Sequence, residues 1–220
     1  MSDRGADVAA NVAEVRSRIA AAAARAGRDP AAVTLVAATK TVDPVRIEQV
    51  VAAGVPDVGE NRAQELLAKT GVGGARWHFL GRLQRNKVGA LAPWVTLWQS
   101  VDRESLGAEI ARRAPGARVL VQVNLGGEPQ KGGCATGDAG ALVDTLRGLG
   151  LDLAGLMTVP PLDDEPRRWF AALRELAGRV GATELSMGMS QDYEIAIEEG
   201  ATYVRVGRAL FGTRPPVRAG

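Results

Sequence analysis

A lysine closes the apolar run Leu35-Val36-Ala37-Ala38-Thr39-Lys40. If that run is a buried strand, it carries the Lys40 amine to the mouth of a dry interior. Burial disfavours the ammonium form and lowers a lysine pKa, and the neutral amine is the form that attacks an aldehyde. A lysine at a strand end that simply reaches into solvent has the same spacing, so spacing alone names no cofactor. Two other segments suit an anion. Met187-Gly188-Met189-Ser190 joins a glycine, which allows close backbone approach, to a hydroxyl donor where a helix should begin. Val206-Gly207-Arg208 makes a second small-residue turn ahead of Ala209-Leu210-Phe211-Gly212. Backbone N–H groups at helix starts attract anions. Taken singly, Ser190 is better explained as a helix cap and Gly207 as a plain turn.

Other chemistries are poorly served. His78 is the sole histidine, which excludes a His-based metal cluster, and its place in Trp77-His78-Phe79-Leu80 fits strand packing or barrel lining better than catalysis. Cys134 is the sole cysteine, within Gly132-Gly133-Cys134-Ala135, and reads as a structural loop thiol. It can form no internal disulfide and fits a reducing compartment. No carboxylate pair stands out. Asp192 and Glu194 fall in a helix first turn, where acids stabilise the helix dipole without a catalytic role.

These residues must be positioned by the elements around them. Val8, Val12, Val15 and Ile19 repeat at helical spacing, so 7–26 is a helix, stopped by Gly27 and Pro30. Short apolar runs then predict strands at Thr34–Ala37, Pro56–Gly59, Trp77–Leu80, Val95–Trp98, Val119–Val123, Leu153–Met157, Glu184–Met187 and Tyr203–Val206. Helical stretches at 44–53, 61–69, 84–91, 103–113, 138–148, 164–179 and 191–199 separate them. Such alternation predicts a parallel sheet, and eight strands with intervening helices predict an α/β fold of the (β/α)8 TIM-barrel type with an extra N-terminal helix. An open doubly wound sheet is the rival, weakened because no G-x-G-x-x-G follows the first strand. The reading is one domain over 1–220, with the N-terminal helix in 1–27 and a loose tail at 213–220. Active groups in such barrels gather where strands end. Here those positions hold Lys40, Glu60-Asn61, Gly81-Arg82, Asn124, Thr158, Ser190 and Gly207-Arg208.

The bulk numbers agree with a single soluble barrel. The chain has 220 residues, 46% hydrophobic and 24% charged, enough for one buried core. Net charge is +2, the 27 basic residues are dispersed and aromatics make up only 4%, which argues against a nucleic-acid partner. The N-terminus lacks a signal-peptide layout and no apolar run reaches membrane-spanning length. A cytoplasmic protein with no membrane partner is expected. Nothing resembles a large apolar interface, so a monomer is expected too.

Several blocks together are more specific than any of these features. Val36-Ala37-Ala38-Thr39-Lys40-Thr41, Gly59-Glu60-Asn61-Arg62-Ala63-Gln64-Glu65 and Trp77-His78-Phe79-Leu80-Gly81-Arg82-Leu83-Gln84-Arg85-Asn86-Lys87 resemble the pyridoxal 5'-phosphate (PLP) homeostasis proteins. So do Gly155–Pro160, Leu185–Ser190 and Val204–Gly212. The resemblance runs in order from residue 34 to residue 212. It implies a barrel like the N-terminal domain of bacterial alanine racemases, with PLP as a Schiff base on Lys40. It also implies a phosphate held around Ser190, Gly207 and Arg208, and Arg205 facing the pyridine nitrogen. Asn61, His78 and Met189 would line the ring. Two positions depart from the family pattern: Arg208 stands where threonine is common, and Arg62 where an aromatic is common.

The Arg205 assignment bears on function. A guanidinium only donates, so the ring nitrogen facing it must accept and stay unprotonated, which makes the ring a poorer electron sink. Racemases of this kind add a tyrosine from another domain. This chain has only Tyr193 and Tyr203, the second at the wrong end of its strand. The expectation is a PLP-binding protein that buffers or delivers cofactor without appreciable turnover, with amino acids and PLP-dependent apoenzymes as further partners. A PLP-dependent amino-acid racemase or related fold-type III enzyme is the alternative, and a phosphate-binding barrel without PLP is the third reading.

Overall fold

A computed structural model describes residues 7–161 and 164–212; the tail expected at 213–220 lies outside the described residues. Eight strands form the centre: β1 Thr34–Ala38, β2 Asp57–Glu60, β3 Arg76–Phe79, β4 Val95–Val101, β5 Arg118–Gln122, β6 Asp152–Met157, β7 Glu184–Met189 and β8 Tyr203–Val206. Each pairs in parallel with the next, and β8 returns to β1, closing the barrel. The helices are α1 Val8–Arg25, α2 Pro44–Ala52, α3 Ala63–Leu67, α4 Val88–Leu91, α5 Glu104–Arg113, α6 Ala139–Gly148, α7 Pro166–Val180, α8 Tyr193–Glu198 and α9 Arg208–Phe211. One helix follows each strand, and α1 is the extra.

Local chemistry sets the helix ends. Asp43 accepts from Val45 N–H and Pro44 opens α2, while Glu165 accepts from Arg167 N–H and Pro166 opens α7. A capping side chain satisfies an orphan N–H, and proline at the first position has no N–H to satisfy. Gly181 ends α7 in the left-handed conformation at φ 63°. The apolar face anticipated for α1 is buried through Val8, Val12, Val15 and Ile19, and the helix packs on α8, α9 and α2. Arg18 and Arg25 of α1 pair with Glu194 of α8, and Arg25 also reaches Glu198.

The main core lies between the outward faces of the strands and the helices. A smaller apolar cluster, Leu97, Leu120, Ala154 and Met157, lies apart from it. Buried polar side chains join across the strands as well: His78, Gln99, Ser186 and Arg205 are linked from β3 to β8. β1 and β2 run one residue past their expected ends, to Ala38 and Glu60, and β4 and β7 run further, to Val101 and Met189. The ladder with the neighbouring strands continues where the apolar run stops, so Gln99 and Ser100 lie within β4. The helix expected over 84–91 is a 3-10 turn at Arg85–Lys87 leading into α4.

Candidate functional site

Lys40 stands two residues beyond β1, and the backbone on both sides of it is held by neighbouring elements. Thr39 N–H donates to Gly59 O at 2.9 Å, and the Thr39 hydroxyl donates to Glu60 Oε1 at 2.7 Å. Lys69 Nζ donates to Thr39 O at 2.9 Å and to Glu60 Oε1 at 2.6 Å. On the other side, Thr41 N–H donates to Glu65 Oε2 at 3.0 Å. Thr41 has φ 62°, a left-handed conformation that a β-branched residue adopts only under constraint. Glu60 is fully buried and Lys69 nearly so. The sequence reading placed Glu60 among the strand-end residues but gave Lys69 no role. Its one signal was the four-residue spacing from Glu65.

The turn after β8 comes against the end of β1. A Cβ on Gly207 would lie 3.0 Å from Ala38 O, tighter than ordinary contact. Gly207 N–H donates to Ser190 Oγ at 3.3 Å, so the turns after β7 and β8 are linked through the two residues expected to form an anion cup. Arg208 opens α9 and is exposed, whereas Met189 and Ser190 are half-buried. Gly188 works differently from the expectation. At φ 90°, its missing Cβ would lie 2.5 Å from Ala196 Cβ and 2.9 Å from Tyr193 Cα, so the close approach it permits is that of α8.

Asp192 also requires correction. It stands just before α8 but bonds none of that helix's N–H groups. Its Oδ1 accepts from Met189 N–H at 2.6 Å, which folds the turn after β7 back on itself. Burial pushes its carboxyl above the ordinary range, partly offset by that N–H and by the charge of Arg205.

Arg205 is buried on β8, beside Val36 of β1 and Met189 of β7 in the ladders. Its Nη1 donates to Ser186 Oγ at 2.6 Å and its Nη2 to Thr158 O at 2.8 Å. Both acceptors are neutral. Burial pulls its pKa down to about 10, with Asp192 acting the other way, so the guanidinium is charged at neutral pH. A buried cation is costly unless its donors are satisfied, and this one has N–H groups beyond the two engaged.

His78 lies elsewhere than the ring-lining expectation put it. One ring nitrogen, Nε2, lies 3.1 Å from Asp57 Oδ1, and the other, Nδ1, lies 2.7 Å from Gln99 Nε2. Its side chain lines a cavity of about 220 Å³ with Thr34, Asp57, Arg76, Arg118 and Tyr203, each the first residue of its strand. That is the barrel end opposite Lys40. Asn61 follows β2 and is exposed, its carbonyl packed so closely on Gly81 that a Cβ there would lie 2.1 Å away.

The two tyrosines lie on other elements, Tyr193 at the start of α8 and Tyr203 at the start of β8. Tyr193 is buried, with Arg18 of α1 5.5 Å from its ring centroid. Tyr203 donates to Glu184 Oε2 at 3.1 Å, and burial, with Glu184 beside it, pushes its hydroxyl up to about 12. Burial pushes the Cys134 thiol up to about 11, which keeps it protonated and unreactive. Among the described residues no group of three His, Cys, Asp or Glu side chains could hold a metal ion, and no helix is long and apolar enough to cross a membrane.

Residues 10–215 match the family model of the alanine racemase N-terminal domain. A pyridoxal phosphate homeostasis protein of Pseudomonas aeruginosa is 42% identical, over 94% of this chain and 96% of the relative. Its counterpart in Escherichia coli strain K12 is 36% identical, over 94% and 97%. Among solved structures, PipY of Synechococcus elongatus with PLP bound superposes with a TM-score of 0.82 at 33% identity, covering 93% of this chain and all of that one. Lysine decarboxylase of Selenomonas ruminantium, in complex with PLP and cadaverine, shares the fold at 16% identity, with a TM-score of 0.71.

Proposed function

We infer that this chain, which belongs to the pyridoxal phosphate homeostasis proteins of the alanine racemase N-terminal domain family, holds PLP as a Schiff base on Lys40 and buffers or delivers it. The observation that carries the reading is Arg205: a buried guanidinium bonded only to neutral acceptors, on a strand whose following turn forms the Ser190–Gly207 contact. The residues present fit the cofactor. The Ser190 hydroxyl, the Gly207 turn and the first N–H groups of α9, which have no carbonyl within the helix to bond, suit a phosphate. Arg205 can donate to a ring nitrogen and cannot give it a proton.

Bound PLP supplies an aldehyde that an amine takes up reversibly and a ring able to draw electrons from the attached carbon. Arg205 leaves the ring nitrogen unprotonated and so limits that electron withdrawal. Lys40 serves as the amine and as the one proton-transfer group at the rim. A second proton donor on the opposite face would have to be a residue such as Tyr193 or Tyr203; the Tyr203 hydroxyl is held by Glu184, and the buried Tyr193 ring packs under Arg18 of α1. Asn61 and Met189 would border the ring from the turns after β2 and β7, while His78 would act only at a distance. Amino acids and PLP-dependent apoenzymes are the proposed acceptors, and release to them requires only an accessible Lys40 at an open rim.

The experiment that separates a cofactor holder from an enzyme is incubation of the PLP-loaded protein with L-alanine in heavy water. One acid–base partner is worth about 10²–10⁴-fold, so α-proton exchange and loss of chirality should stay at trace level while the visible spectrum responds to the amine. Turnover at ordinary enzyme rates, abolished in Lys40→Ala, would replace this reading with the racemase. A second expectation concerns the phosphate. Ser190→Ala should weaken PLP binding roughly 10- to 150-fold, the loss of one hydrogen bond to a charged phosphate. Arg208→Ala should cost less, because Arg208 acts through its backbone. Equilibrium titration ranks the two, and a larger loss at Arg208 would make its guanidinium a direct phosphate ligand.

A further inference from the structure

The proposed cofactor site uses only one end of a line of polar side chains that crosses the barrel. Arg205 Nη1 donates to Ser186 Oγ at 2.6 Å, and the Ser186 hydroxyl donates to Gln99 Oε1 at 2.5 Å. Gln99 Nε2 lies 2.7 Å from His78 Nδ1, and His78 Nε2 lies 3.1 Å from Asp57 Oδ1. All five residues are buried. The line passes from β8 through β7, β4 and β3 to β2, ending in the cavity that also contains Arg76, Arg118 and Tyr203.

The donor order along this line is fixed from one end. A guanidinium has no acceptor, so Ser186 Oγ must accept from Arg205, and its single proton goes to the Gln99 carbonyl. That leaves the Gln99 amino group facing His78. Nδ1 must then be a bare acceptor, and the ring proton sits on Nε2, where Asp57 accepts it. The reverse also holds. A proton on Nδ1 would require the Gln99 amide to turn over, leaving Ser186 Oγ between the donors of Gln99 and Arg205.

On its other side His78 meets an acidic group and an aromatic ring. Asp57 is itself paired with Arg76. Burial raises the Asp57 carboxyl, but hydrogen bonds from His78 and Arg76 outweigh burial and keep it ionised. Tyr203 meets the imidazole edge-on at 5.9 Å, with its hydroxyl on Glu184, which in turn pairs with Arg118.

We propose that His78 is a positioning residue for Arg205: through Gln99 and Ser186 it fixes the direction in which the guanidinium is presented to the PLP ring. The proposal rests on the reading that PLP is held at Lys40. Two of the guanidinium's nitrogens are anchored, on Ser186 and on Thr158 O. If Gln99 turned over, its amino group would compete with Arg205 for the lone pairs of Ser186, and that anchor of the guanidinium would loosen.

The test exploits the single histidine of the chain, whose ring nitrogens give unambiguous ¹⁵N NMR signals. In the wild-type protein at neutral pH, His78 should be the Nε2–H tautomer, and loading with PLP should move its Nδ1 signal. In Gln99→Leu, which cuts the line and leaves both ends in place, the signal should stop responding to PLP. Binding should then weaken roughly two- to tenfold, the worth of one hydrogen bond. An Nδ1–H tautomer, a signal unmoved by PLP that demonstrably binds, or an undiminished response in Gln99→Leu would overturn the proposal. If Gln99→Leu does not fold, the wild-type tautomer and its response to PLP still decide. Failure of the wild-type protein to bind PLP at all is a different result, and it would overturn the cofactor reading itself.

Discussion

Lys40→Ala should lose all covalently held PLP and all visible colour, with its fold intact. The amine is the one group proposed to bond the aldehyde, and the Lys69 amine beside it is already engaged by Glu60 and Thr39 O. The backbone around it does not depend on that side chain, because Lys69 grips Thr39 O on one side and Glu65 grips Thr41 N–H on the other. Ser190, Gly207 and Arg205 remain, so weaker, reversible binding of PLP should persist in equilibrium dialysis. The checks are the absorption spectrum after loading, borohydride reduction followed by intact mass, and circular dichroism. A variant that stays yellow, with the wild-type mass gain after reduction, would remove Lys40 from its proposed role.

Lys69→Met should be the most destabilising of the conservative changes near the site. Glu60 is fully buried, and Lys69 is its cation at 2.6 Å. Removing one partner of a buried pair leaves an uncompensated charge, which costs about 3–5 kcal/mol. For a chain of this size that lowers the thermal midpoint by roughly 6–20 °C. The cost arises from the unpaired carboxylate left in the interior, so adding Glu60→Gln should recover part of it. Denaturant melts of the two single variants and the double variant measure the coupling. A double variant less stable than Lys69→Met alone would mean that Glu60 is stabilised by Thr39 and its surroundings without help from the lysine.

What could be read from the sequence was what repeats locally. The α1 face, the apolar strand runs and their alternation with helices are properties of short windows, and they led to eight parallel strands in a closed barrel. Lys40 drew attention because it ends such a run, and Ser190 and Gly207 because small residues at helix starts stand out, while the cofactor roles given to them came from the family resemblance. The features that escaped notice are pairings between distant elements. Gln99 looked like the end of β4 because a polar residue interrupts an apolar run. It belongs inside the strand because the lumen there is polar and Ser186 and His78 satisfy it. Lys69 drew no reading at all, since nothing in its own window shows Glu60 beneath it. Asp192 was assigned to a helix dipole by position alone, but its carboxylate found Met189 N–H instead. His78 appeared in a block resembling a cofactor family, and block membership does not say which end of a barrel a side chain serves.

The most direct test of the account is a peptide map of the wild-type protein loaded with PLP and reduced with borohydride. Of Lys40, Lys69, Lys87 and Lys131, only Lys40 follows β1 beside the Gly207 turn, and the Lys69 amine next to it is engaged by Glu60 and Thr39 O. The account predicts one pyridoxyl group, on the peptide that contains Lys40, in a protein that was yellow before reduction. A label on Lys87 or Lys131 with Lys40 unmodified would contradict it.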